Sequence, residues 1–148
     1  MSILDVTNAG AIPALQSLAS FAAQRHTFIA GNIANISTPG YLQQDVSVRD
    51  FQRTLAEAVD ARRQTTGGSH GELRLAESRE LRTGPGGRLT LVPSTESGSG
   101  GLLLNDRNNR DVEGLMQSLV ENATTFRVAN DLLRSRFELI RSAIAERV

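Results

Sequence analysis

Two stretches of apolar rhythm, one near each end of the chain, constrain its fold more than any other feature. Between residues 111 and 147, Val112, Leu115, Leu119, Phe126, Ala129, Leu133, Phe137, Ile140 and Ile144 recur at steps of three, four or seven. That spacing places them along one face of a helix roughly 55 Å long at 1.5 Å per residue. Asn122 takes one position in this seam, and the four-residue steps at Leu133 and Phe137 shift its register. Met116, Val120, Leu132, Leu139 and Ala143 widen the apolar face beyond a two-stranded seam, which predicts more than one neighbouring helix.

Residues 10–36 carry the same rhythm over a shorter length. Ile12, Leu15, Ala19, Ala22, Ile29, Ile33 and Ile36 step by three and four, interrupted only at His26. Pro13 is compatible with the first turn, where a missing N–H costs little. Leu18, Phe21 and Phe28 form a second stripe beside the first, so this helix needs two neighbours. At roughly 40 Å it is also shorter than the C-terminal helix, which must overhang it.

The stretch GNIANISTPGY, residues 31–41, ends the first seam abruptly. Pro39 disfavours helical dihedrals at Thr38, so the helix stops by about Ser37. Thr38-Pro39-Gly40-Tyr41 then suits a type II turn, with Pro39 presetting the second position and Gly40 accepting positive φ at the third. Residues 49–63 carry Phe51, Leu55 and Ala58 or Val59 at helical spacing, with Asp50 as the expected cap of a short helix. Nine of the thirteen glycines then fall between residues 67 and 101. Within that zone Leu89 and Leu91 alternate as in a short strand or hairpin, and Ser97 to Gly101 reads as flexible. The expectation is one mainly α unit over residues 1–148: long N- and C-terminal helices pairing in a coiled-coil-like α-domain, with residues 37–110 holding a turn, a short helix and a Gly-rich, partly β or flexible segment.

Composition removes most chemistry from consideration. Sixteen basic residues balance sixteen acidic ones, with no block of like charge, so neither nucleic acid nor an anionic membrane is the expected partner. The absence of Cys removes disulfides, thiolate catalysis and Cys-based metal sites. Only His26 and His70 carry imidazoles, and neither has a second His or a carboxylate at metal-ligand spacing. His26 reads as a polar break in a helix interface. TGPGGR and SGSGG lack the Lys-Ser or Lys-Thr of a phosphate loop, and Glu77 and Glu80 read as a solvated face. No catalytic residue, cofactor site or metal site is predicted. No apolar run approaches the roughly 20 residues that span a bilayer, so no direct membrane insertion is expected. The first residues also lack the pattern of a cleaved signal peptide.

The corner carries a resemblance as well as a turn. Asn32-Ile33-Ala34-Asn35, two residues, then Thr38-Pro39-Gly40-Tyr41 resembles the N-terminal signature of the flagellar axial proteins, the rod, hook and hook-associated family. Its place, at the exit of an N-terminal seam helix in a chain ending in another, matches that family too. The chain is short for hook, distal-rod or hook-associated members. Val112, Glu113, Met116, Leu119, Glu121, Asn122 and residues 137–144 resemble the proximal-rod, FlgB-type branch, as does RDFQRTLAEAV. Two positions depart from it: Leu42 stands where a basic residue often follows the motif, and Phe126 where Tyr is expected.

The resemblance implies a structural subunit of the basal-body rod, exported without a cleaved signal and stacked across the periplasm. Its implied partners are copies of itself, other rod proteins, and the basal-body adaptor and export gate at the rod base. Assembly would run through the seam residues Ile12, Leu15, Ile29, Ile33, Leu115, Leu119, Phe126, Leu133, Phe137, Ile140 and Ile144. Asn32 and Asn35 would satisfy backbone groups near the helix exit. The competing reading is a soluble helical adaptor or secretion chaperone, which would share the seams and the balanced charge but form a small discrete complex.

Overall fold

Gly10 and Pro39 bracket the first helix by opposite means. The computed structural model describes residues 10–68, 70–84, 87–95 and 112–146. Gly10 takes a left-handed φ of 55°, so helix α1 begins after it and runs Ile12–Ala34 with Pro13 in its first turn. The expected span of 10–36 is thus trimmed at both ends. Asn35 forms the C-terminal cap, and Ile36 closes only a tighter bond, its N–H reaching the Ile33 carbonyl at 3.3 Å.

Helix α2 runs Val48–Thr66, longer than the predicted 49–63 at both ends. Its cap is Ser47 and not Asp50: the Ser47 hydroxyl accepts the Asp50 N–H at 3.1 Å. Asp50 lies in the first turn, paired at the surface with Arg53. The helix persists to Gly67, the first residue after it that adopts a left-handed φ (66°), whose N–H caps the Arg63 carbonyl. Strands β1 (Leu81–Thr83) and β2 (Leu89–Leu91) pair antiparallel with Leu81 opposite Leu91 and Thr83 opposite Leu89. The alternation at Leu89 and Leu91 therefore marks one strand of a hairpin. The Ser97–Gly101 tract lies outside the described residues.

A hydrophobic core joins α1 to this middle region. The rings of Phe21 and Phe51 stack with centroids 3.9 Å apart and planes 9° from parallel. Val46, Ala58, Leu75 and the three hairpin leucines Leu81, Leu89 and Leu91 complete the buried cluster, with Leu18 and Phe28 packed at its margin. The second stripe of α1 thus has its neighbour. The other neighbour is α3, Val112–Ala145, which packs against α1. The fold is mainly α, with α1 and α3 packed together and a small antiparallel sheet in the middle.

Glu77 and Glu80 part company in this fold. Glu77 is exposed, its carboxylate accepting the Thr83 N–H. Glu80 is half-buried and structural: its two oxygens accept the Ser47 N–H and the Ser94 hydroxyl, tying the α2 cap to the segment after the hairpin. A solvated face describes only the first of the pair.

Candidate functional site

Asn32 anchors the corner through its own amide. It is 2% exposed, and its Nδ2 donates to the Gln44 carbonyl at 2.8 Å while its Oδ1 accepts the Gln44 N–H at 3.0 Å. The Tyr41 hydroxyl donates to the same Oδ1 at 3.0 Å. A side-chain amide thereby pairs with an extended backbone as a neighbouring strand would, saturating both Gln44 groups. Asn35 acts within the helix end: its Nδ2 donates back to the Gly31 carbonyl, and its own carbonyl accepts the Thr38 N–H. The Tyr41 N–H then bonds the Thr38 carbonyl at 3.2 Å across Pro39 and Gly40, with Gly40 at φ 74°. Ala34, Thr38, Pro39 and Gly40 are exposed, and Ile33 and Tyr41 are half-buried.

The same face of α1 carries two further polar clamps that the sequence reading missed. Gln24 donates to the Leu89 carbonyl at 2.9 Å and accepts the Leu91 N–H at 3.0 Å, covering the outer edge of β2. Arg25 makes a bidentate pair with Asp45, at 2.9 and 2.6 Å, with both side chains mostly buried. Asp45 in turn bridges to Ser94 through its backbone. The available signal was periodicity: Gln24, Arg25 and Asn32 fall at helical spacing with Phe21 and Phe28.

The opposite side of α1 meets α3, and there the seam residues divide. Ile12, Ile29 and Leu115 are buried, and Leu15, Ile33, Leu119, Leu133 and Ile140 are half-buried. Phe126, Phe137 and Ile144 are exposed, the last by 60%. The register between the helices is pinned by Asn122, 4% exposed, whose Nδ2 donates to the Ala22 carbonyl at 2.8 Å. Beyond Ala22, α1 continues at most about 12 residues in either direction, roughly 18 Å, whereas α3 continues about 23 residues past Asn122, roughly 35 Å. Whichever way the helices run, α1 cannot reach the last three turns of α3, and Phe137, Leu139, Ile140 and Ile144 lie there. His26 is exposed and lines a groove of about 680 Å³ between the two helices, together with Phe126 and Arg127.

Among the described residues no group of three His, Asp or Glu side chains is placed to hold a metal ion, and no helix is long and apolar enough to cross a membrane. In comparisons with protein-family models and with curated proteins, none matched this chain. What the arrangement can do chemically is therefore read from its surfaces: a corner held rigidly by polar clamps, and an apolar helix end with no cover from α1.

Proposed function

We propose that this chain is a structural subunit of the proximal part of the bacterial flagellar rod, joining its neighbours by packing of the terminal helices. The observation that carries the reading is the apolar face of α3 beyond the reach of α1. Each Phe or Ile there gains on the order of 1.5–3 kcal/mol if another subunit buries it fully. Contacts between different surfaces of successive subunits do not close, so such a stack grows as a helical filament. The resemblance of residues 32–41 to the axial-protein signature supports the same reading. The partners are copies of this chain and related rod subunits, with the adaptor and export gate at the base, and the location is the periplasmic rod.

In this scheme the corner fixes the direction in which the middle segment leaves the helical pair. The assembly face lies on α3 and the corner at the end of α1, and the packing of α3 against α1 relates the two.

The test compares folding with incorporation. Ile140→Asp places a charge where α1 cannot reach, so the purified subunit should keep wild-type helicity by circular dichroism. In an assembled stack the same charge would be desolvated without a partner, at a cost of several kcal/mol. Incorporation into isolated basal bodies and motility should both be lost. Normal incorporation of that variant would sink the seam-assembly reading, and a wild-type chain found in a small discrete complex and missing from basal bodies would favour the adaptor.

A further inference from the structure

The groove between α1 and α3 and the uncovered end of α3 are two incomplete surfaces on one helix. Ala22 and Ala23 of α1 and Ala123 of α3 line the groove with small side chains, and Phe126 stands exposed in it. Along α3 the groove extends from Asn122 to Arg134, about 18 Å. Just beyond it come Phe137 and Ile140, which α1 cannot reach. The groove therefore has room for a helix, and the end of α3 is a helix whose apolar residues lack cover from α1.

A charged stripe borders both surfaces. Arg127, Asp131, Arg134 and Glu138 follow one another at steps of four, three and four, within a sector of about 60° at 100° per residue. The first three line the groove, and all four are exposed. Their spacing allows ion pairs within the helix, yet among the described residues none of the four makes a salt bridge. Their order is self-complementary when inverted. In two antiparallel copies of α3 with the two-fold axis between Leu132 and Leu133, Arg127 comes level with Glu138 and Asp131 with Arg134, and each pair occurs twice. Both partners of every pair lie on the same flank, as the two-fold requires. Moving the axis two residues one way sets Arg127 against Arg134, and two residues the other way sets Asp131 against Glu138. A parallel pairing in register sets every charge against itself, so charge selects one arrangement.

We infer that the end of α3 from one copy of this chain fills the α1–α3 groove of a second copy, and the reverse, in an antiparallel homodimer. In this register Phe126 falls between Phe137 and Ile140 of the second copy, on the side that faces α1, and the small Ala123 leaves space for Arg141 of the second copy. The four interchain ion pairs border that apolar contact along its other flank. The same residues make the contact from both sides, as an isologous interface requires. The dimer closes on itself, whereas the proposed stack stays open, and both need Phe137 and Ile140. The inference does not rest on the rod reading; where both hold, the dimer keeps the assembly face covered until a stack displaces it.

The test is the oligomeric state of the purified full chain, read by sedimentation across a concentration series. Wild type should be dimeric. Arg127→Glu with Arg134→Glu leaves the stripe wholly acidic, and Asp131→Arg with Glu138→Arg leaves it wholly basic; each double variant should self-associate at least about tenfold more weakly. An equimolar mixture of the two should dimerise again, because every level pair is then opposite in charge, and that rescue excludes misfolding as the cause. The chain has no cysteine, so Ala123→Cys with Arg141→Cys supplies its only two thiols. At about 27 Å apart along one helix they cannot bridge within a chain, so they should oxidise to a covalent dimer, and either substitution alone should not. A wild-type chain that stays monomeric to about 100 µM would overturn the inference. So would double variants that still dimerise, a mixture that does not, or single-cysteine variants that crosslink as readily as the pair. Basal-body incorporation is read separately: a monomeric wild type that still incorporates overturns the dimer alone, and a dimer that never incorporates overturns the rod reading alone.

Discussion

The two ends of the helical pair treat their surroundings in opposite ways. Where α1 meets the middle segment, contacts are directional and paired: Gln24 on the β2 edge, Arg25 on Asp45, Asn32 on Gln44, on the helix that also carries Phe21 into its stack with Phe51. Where α3 runs past α1, Phe137, Leu139 and Ile144 stand in the open on the same helix as the exposed Arg136, Glu138 and Arg141. Polar clamps specify one geometry, because a donor or acceptor that loses its partner in the interior is penalised. Apolar faces are non-directional and reward burial by any surface of suitable shape. The first region is therefore built to hold the chain's form, and the second is the one the proposed assembly would complete.

The sharpest way to break this contrast is to cut the same ring from each region. Phe51→Ala removes a ring that is 1% exposed and stacked, and should destabilise the purified chain by about 3–5 kcal/mol in a denaturation series. A loss below about 1 kcal/mol would mean that the middle segment contributes little to the fold.

Asn32→Ala probes the clamps and should rank second. It leaves the Gln44 N–H and carbonyl without their amide partner and releases the Tyr41 hydroxyl, for a loss of about 2 kcal/mol. Proteolysis near residues 41–44 should quicken at the same time, because the corner is then held only by its turn. Unchanged stability would show that water replaces the amide without cost.

The smallest effect belongs to the open end. Phe137→Ala, in a residue already 39% exposed, should change the stability of the isolated subunit by no more than about 0.5 kcal/mol. Its consequence should appear only where subunits associate. A large loss in the isolated chain would mean that the overhang is already covered within the subunit.

Legibility follows the range of the interactions. The seams, the second stripe of α1 and the overhang of α3 can be read from the residues because helical period and length are local properties. The hairpin is half legible: Leu89 and Leu91 announce a strand, but nothing nearby names Leu81 as the partner. The clamps are not legible as contacts, since Gln24 meets residues about 65 positions away and only the folded register brings them together. Glu80 misleads for the same reason: a charged side chain next to Arg79 looks solvated until its Ser47 and Ser94 partners are known. Asn32 reads as serving the helix exit, yet it serves a backbone twelve residues further on. Asp50 loses the capping role to Ser47 by three residues, a shift that propensity does not resolve.

The short sheet is closed off on both sides. Gln24 occupies the open edge of β2, while Ser78 and Glu77 occupy that of β1, where the Ser78 hydroxyl accepts the Leu81 N–H and the Glu77 carboxylate that of Thr83. A chain crowded beside its own copies, as in the proposed stack, would meet a hazard that isolated proteins meet rarely: any bare strand would recruit its twin and seed β-aggregates. With both borders occupied by side chains of the same molecule, neither strand of this hairpin offers a bare edge to a neighbour.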